Sequence, residues 1–303
     1  MKDKLIIPAL LLLFFHTAKA QEEESPSMYE AGSFFITVLP EMQQKGSKDV
    51  LIGATGEMLE KYIPDGTYST AINAFMVETP DKTILIDAGL GMKLSDHLLV
   101  CKKKAEDIDI ILLTHLHGDH IGSLLQEGKK SFPGAALYVS QPEYDYWMSD
   151  EKMFAQSENR QKSFLNAREV LTAYKDNLHL FVPGETDDTG EELLPGVRAI
   201  SAYGHTPGHT AYLLDSDGEQ LLVWGDITHA MDIQIPCPQA AVTYDIDPVR
   251  AIESRQKVLK FVSENKIRIA GMHIEYPGIG DIRGNSTQGY VFSLLCTCEG
   301  TFR

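Results

Sequence analysis

Thr114-His115-Leu116-His117-Gly118-Asp119-His120 closes a nearly unbroken apolar run, residues 108–113. Such a run reads as a strand buried on both faces. The turn after it places four metal-competent side chains, His115, His117, Asp119 and His120, within six residues. Zinc takes nitrogen and oxygen donors at about 2.0–2.2 Å and needs backbone that makes several of them converge. A tight turn after a buried strand does this, because successive side chains fan around one point. Gly118 is read as the residue that lets the chain turn without a clashing side chain, and a helix is expected to begin near Ile121.

Three further segments each bring a donor to a strand end. His205-Thr206-Pro207-Gly208-His209 follows an expected strand over 197–202. Gly225-Asp226 follows a strand ending at Trp224, and Gly271-Met272-His273 follows a strand over 267–270. Strands are also expected over 71–79, 83–87 and 136–139, with a hairpin pairing 210–214 and 220–224 around Ser216-Asp217-Gly218. Asp247-Pro248 is a helix start, with Asp as cap and Pro in the first turn, and Ile252, Leu259 and Val262 give that helix an apolar face. Strands and helices alternate, so the chain reads as one α/β domain over 21–303 with its site along a sheet edge.

Residues 141–178 differ in character. Tyr144, Tyr146, Trp147, Met148, Met153 and Phe154 stand among acids and amides, and read equally as a lid over a pocket or as helix core. Phe164, Val170 and Leu171 have the spacing of a core-facing helix. The apolar part of a pocket is expected from the 144–154 segment and from Ile233-Gln234-Ile235-Pro236.

The chain opens with Lys2 and Lys4, an apolar run from Leu5 to Phe15, and Ala18-Lys19-Ala20. That order is the secretory signature, so residues 1–20 are expected to be a signal peptide and the protein to be exported, periplasmic or secreted. The run is shorter than the roughly 20 residues that span a bilayer, and no later segment supplies such a span. The formal charge is −16, and loss of the leader would take it to about −18, a surface that disfavours nucleic acid as a partner. Cys101, Cys237, Cys296 and Cys298 lack the spaced pairs of a structural zinc site and are read as structural or incidental.

On these motifs the chain resembles the metallo-β-lactamase superfamily from about Asn73 to its C-terminus. The resemblance implies a four-layered αββα sandwich with metals at one sheet edge. It implies that His115, His117 and His209 hold one zinc, that Asp119, His120 and His273 hold another, and that Asp226 bridges them. It also gives Asp87 the task of orienting ligands, as imidazoles in metal sites require. Asp226 argues against true β-lactamase activity and His117 against flavodiiron oxygen reductases. No helical glutathione-gripping domain of the hydroxyacylglutathione hydrolases is visible. Ile72-Asn73-Ala74-Phe75, Trp224-Gly225-Asp226-Ile227-Thr228-His229, the 273–280 stretch and Gly289-Tyr290-Val291-Phe292 look most like the methyl parathion hydrolase and quorum-quenching lactonase branch. Many lactonases of that branch carry tyrosine three residues after the bridging aspartate, where this chain has His229.

The implied cofactors are two Zn2+ ions, with other divalent metals as alternative occupants. The implied reaction is hydrolysis by a metal-bridging hydroxide, zinc bringing the pKa of bound water from about 15.7 to near 7. Asp119 and Asp226 would hold the nucleophile and His229 would donate to the oxyanion. The substrate is expected to be a small ester, lactone or phosphotriester with an apolar portion, and a homodimer is what the family suggests. Two alternatives stand beside this reading. A mononuclear iron oxidoreductase of the persulfide dioxygenase type would not need the complete set Asp119, His120 and His273. A non-catalytic metal-binding protein would bind zinc without turnover.

Overall fold

The structure, a computed structural model, describes residues 24–186 and 192–295. The leader, Cys296 and Cys298 lie outside the described residues. Seven strands form one sheet, side by side in chain order: Ser27–Ala31, Phe34–Ser47, Thr67–Glu78, Thr83–Ile86, Ile110–Leu112, Ala136–Ser140 and Leu178–Phe181. Six form a second, also in chain order: Val197–Ser201, Thr210–Ser216, Glu219–Val223, Arg268–Ala270, Ile279–Asn285 and Gly289–Leu294.

The period-2 alternation of strands sorts their side chains into separate cores. Ile84, Ile86, Ile110 and Leu112 point between the sheets, where they meet Tyr212, Leu214, Leu221 and Val223. Their alternates Leu85 and Ile111, with Leu137 and Val139, point outward. There they pack against Leu98 of the Leu94–Val100 helix and Phe164, Val170 and Tyr174 of the Glu158–Tyr174 helix. On the far side Leu213, Leu222 and Trp224 meet Val258, Leu259 and Val262 of the Pro248–Asn265 helix. The layers are therefore helix, sheet, sheet, helix, which is why the strands read as continuous apolar runs. Asp247 caps the last helix by accepting from the Arg250 amide at 3.1 Å.

Two differences from the sequence reading concern the frame of the site. The Phe34–Ser47 strand was not expected; its register slips between Pro40 and Met42 where it pairs with Thr67–Glu78. That irregularity turns Glu41 inward, and its carboxylate accepts from the amides of Leu90, Met92, Lys93 and Leu94 at 2.8–3.1 Å. An anion there neutralises the orphan amides at the start of the Leu94–Val100 helix. The Ile279–Asn285 and Gly289–Leu294 hairpin was likewise unread as strand. Cys101 is partly buried and Cys237 buried, both as free thiols.

Candidate metal centre

Parallel pairing aligns strand ends. Thr83–Ile86, Ile110–Leu112 and Ala136–Ser140 run parallel in one sheet, Glu219–Val223 and Arg268–Ala270 in the other. Their carboxyl ends carry Asp87, the 115–120 turn, Asp226 and His273, and His205 follows Val197–Ser201. The helix expected to begin near Ile121 instead starts inside the turn and ends there, Gly118–Ile121. Gly118 is exposed, its φ is negative, and a Cβ there would meet nothing nearer than Asn166 Nδ2 at 3.9 Å. The conformational need assigned to Gly118 is thus absent.

Three groups of side chains bring one donor atom each to within 4.8 Å of one another: His115, His117, His205 and Asp226; Asp119, His120 and His273; and Asp226, His229 and His273. Their hydrogen bonds set the tautomers. Thr114 Oγ1 donates to Asp87 Oδ2 at 2.6 Å and so accepts from His115 Nδ1 at 3.0 Å. His120 Nδ1 donates to Asp87 Oδ2 (2.6 Å), His205 Nδ1 to Asp245 Oδ1 (2.9 Å) and His273 Nδ1 to the Ala71 carbonyl (2.7 Å). Each outer nitrogen is thereby the N–H, and each Nε2 turns a lone pair to the centre.

What those lone pairs face is decisive. His205, His120 and His273 Nε2 lie 3.2, 3.3 and 3.1 Å from Asp226 oxygens, and His115 Nε2 lies 3.6 Å from Oδ2. Asp119 Oδ2 is 3.6 Å from His120 Nε2 and 3.7 Å from His273 Nε2. His117 Nδ1 sits 3.0 Å from His115 Nε2 and 2.9 Å from His205 Nε2. His120 Nε2 and Asp226 Oδ1 are buried without a hydrogen-bond partner. Lone pairs facing carboxylates at this depth repel unless cations lie among them. Donors around a tetrahedral zinc with bonds of about 2.0–2.1 Å lie about 3.3 Å apart, so the residues fit divalent ions.

The electrostatics carry the same demand. Burial holds the His115 pKa well below its usual range and brings His117 down to about 3, so both stay neutral, as ligation requires. Burial opposes charge on His120, His205 and His273 too. There it is outweighed, chiefly by Asp226, so His120 is pushed well up, His205 to about 9 and His273 upward. Burial would raise Asp226, yet His120, His273, His115 and His229 together hold its carboxyl well below the usual range. The cluster calls for positive charge, which protons supply poorly and divalent ions supply well.

His209, taken from the sequence as a ligand, is instead structural. Its Nδ1 donates to the Ala202 carbonyl at 2.8 Å and its Nε2 accepts from the Asp226 amide at 2.9 Å, so both nitrogens are used. It packs against Gly225, whose φ of +62° and missing Cβ make room for the ring. His209 therefore fixes the turn that presents Asp226, and His205 joins His115 and His117. The signal was present in the same five-residue motif, where two histidines compete and the first lies nearer the mouth. Asp245, buried and also accepting from the Val242 amide at 3.1 Å, was missed because nothing in sequence links it to His205. Loss of the Asp245 carboxylate in Asp245→Ala should weaken metal affinity about 10–100-fold, read by competition with a chromophoric chelator; unchanged affinity would contradict this role.

His229 also belongs to the cluster. Its Nε2 is 3.0 Å from Asp226 Oδ2, its ring stacks on His273 at 4.6 Å, and burial first of all lowers its pKa to about 4. Gln234 holds the turn behind it by accepting from the His229 and Ala230 amides at 2.7 and 3.0 Å. Buried Arg255 donates to the carbonyls of Ile227, Pro238 and Ala240 at 2.7–2.8 Å.

The centre opens into a cavity of about 440 Å³. Asp119, with 28% of its side chain exposed, His229 and His273 line its inner end, and Ile72, Tyr68 and Tyr244 line its sides. The 144–154 segment divides between its two expected roles. Tyr146 and Trp147 line the cavity while Trp147 and Met153 are buried in the core, and Phe154 is 68% exposed. Ile233 and Ile235, expected at the pocket, are core residues that do not line it. Glu143 ties these parts together. Its buried carboxylate accepts from the Leu116 and Gly208 amides, Thr206 Oγ1 and Trp147 Nε1 at 2.6–3.0 Å.

Comparison with known proteins agrees with this geometry. Residues 68–271 match the family model described as the metallo-beta-lactamase superfamily. Among solved structures the chain is similar to AbOPH, a hydrolase in the beta lactamase superfamily (29% identity, TM-score 0.79, 91% of this chain and 99% of that one). It is also similar to AidC, a dizinc quorum-quenching lactonase (25% identity, TM-score 0.81, the same coverage). Among curated proteins it is similar to YobT of Bacillus subtilis, an uncharacterized protein, at 29% identity over 51% of this chain and 61% of that protein. The exodeoxyribonuclease WalJ of Streptococcus pneumoniae is 34% identical over 33% of this chain and 36% of its own length. The chain thus spans less than two thirds of these curated relatives.

Proposed function

The chain belongs to the metallo-β-lactamase superfamily, and from that premise we propose that it is a binuclear, zinc-dependent hydrolase of small esters, lactones or phosphotriesters. The observation that carries this reading is the convergence of imidazole lone pairs and two aspartates at the inner end of an open cavity. His115, His117 and His205 would hold one ion, Asp119, His120 and His273 the other, and Asp226 both. Ions held there supply Lewis acidity and ionise water near neutral pH.

The chain's own residues do the rest. Asp226, fixed at its amide by His209, offers its two oxygens to different histidines, Oδ1 to His120 and Oδ2 to His205 and His273. Asp119 is the carboxylate exposed to the cavity, so its Oδ2 is placed to hold a proton of water entering there. His229 lines the same cavity and would polarise the substrate oxygen. The aromatic walls exclude water from an apolar substrate portion. The formal charge of −16 supports a small substrate over a nucleic acid. The similarity to AidC supports lactone chemistry and that to AbOPH supports hydrolysis, and the leader motif supports export.

The test is hydrolysis of a matched panel of 4-nitrophenyl ester, N-acyl homoserine lactone and phosphotriester by zinc-loaded protein. Turnover of at least one class, lost on chelation and restored by zinc, is expected. Full zinc occupancy without turnover of any would favour a non-catalytic metal protein.

A further inference from the structure

Most of the cavity wall is neutral, but its outer part is not. Gln156, Arg160, Ser163 and Phe164 lie at i, i+4, i+7 and i+8 and all line the cavity. Arg160, Ser163 and Phe164 form one face of the first turns of the Glu158–Tyr174 helix, and Gln156 stands just before its N-cap Ser157. Arg160 is the one Lys or Arg side chain lining the cavity among the described residues. Its Nη2 donates to the Thr243 carbonyl at 3.2 Å, and no carboxylate among the described residues pairs with it. The start of this helix has no side-chain cap, and Glu158 in its first turn offsets the partial positive charge of its amides, which leaves the guanidinium as the cation of this wall. Gln44, Gln156 and Ser163 supply further neutral hydrogen-bonding groups around the same wall.

Arg160 is exposed at this outer wall, where solvent and ligands can reach its guanidinium, in a chain carrying −16 overall. Holding Thr243 uses one of its five N–H donors. The remaining fork matches a carboxylate, which it can grip with two parallel bonds. The aromatic walls between Arg160 and the metal cluster accept an apolar spacer.

We propose that Arg160 selects substrates bearing a carboxylate at the end remote from the scissile bond, joined to it by a short apolar spacer. This rests on the hydrolase reading above and narrows its substrate class to small monoanions. The selection is local, so it is compatible with exclusion of polyanions by the acidic surface.

The matched pair is mono-(4-nitrophenyl) adipate and 4-nitrophenyl hexanoate, which have the same chain length and differ in the terminal carboxylate. At low salt the zinc-loaded protein should show kcat/KM about two- to fivefold higher for the adipate ester, the upper range of an exposed ion pair. Arg160→Gln should erase that preference and leave hexanoate ester hydrolysis unchanged, while Arg160→Lys should keep part of it. An equal loss on both esters would show that Arg160 only holds the Thr243 segment, and a wild-type preference for the hexanoate ester would overturn the proposal outright. Binding separates this outcome from failure of the hydrolase reading. Quenching of Trp147, which lines the cavity, should report tighter binding of adipamate, the monoamide of adipic acid, than of the carboxylate-free hexanamide, by a similar factor, to wild type but not to Arg160→Gln. Equal binding of the two amides would sink the anion site even if both esters are hydrolysed. The adipamate preference in binding would keep it even if neither ester turned over.

Discussion

Asp226→Asn is expected to reduce turnover at least about a thousandfold and to leave about one bound metal per chain instead of about two. Asp226 is 3% exposed and its oxygens lie within 3.0–3.6 Å of five histidines: His115, His120, His205, His229 and His273. Asparagine keeps the shape but replaces one anionic oxygen by an NH2 group. That group donates to the Nε2 lone pairs instead of sharing a cation with them. The folded chain should survive, since asparagine is isosteric with aspartate and the Nε2 atoms around it, neutral once the charge is gone, can accept from its NH2 group. Metal content by mass spectrometry and the far-UV circular dichroism spectrum check both halves. Full metal content with near wild-type turnover would remove Asp226 from the bridging position.

The second large effect is on stability. Glu143→Ala should cost about 4 kcal/mol or more, because four buried donors lose their acceptor at roughly 1–3 kcal/mol each, with incomplete additivity. Those donors belong to the metal-binding turn at Leu116, the Thr206 and Gly208 segment beside His205, and the Trp147 indole of the cavity wall. Burial pushes the Glu143 carboxyl pKa up, and the bonds from Thr206, Trp147, Leu116 and Gly208 pull it back toward the ionised form. Against a typical stability of about 5–15 kcal/mol this loss is a large share. Metal affinity should fall with it, because the two turns that carry His115, His117 and His205 lose their common anchor. Urea denaturation of the metal-free and metal-loaded forms measures both; a loss below about 1 kcal/mol would contradict the anchoring role.

The central strands and the metal-binding turn were legible because their signals are local. An apolar run such as 108–113 and a dense donor motif need no knowledge of distant residues. The αββα layering followed from the resemblance, and the alternation of Ile84, Leu85 and Ile86 between two cores bears it out. What escaped was set by contacts distant in the chain. His205 and His209 are four residues apart with the same chemistry, and only the Asp226 amide and the Ala202 carbonyl show which of them is occupied. Asp245 lies 40 residues from the His205 it orients. Glu41 acts through a register slip in a strand whose polar second half, Gln43-Gln44-Lys45, hides it. Ile233 and Ile235 are as apolar as a pocket wall but face the core.

Metal content of the purified chain, after removal of loosely bound ions and back-titration with zinc, tests the central claim most directly. About two ions per chain are predicted, with the second site retained in His209→Asn and the first lost in His205→Ala. One ion per chain, or loss of the first site on replacing His209 but not His205, would contradict the centre described here.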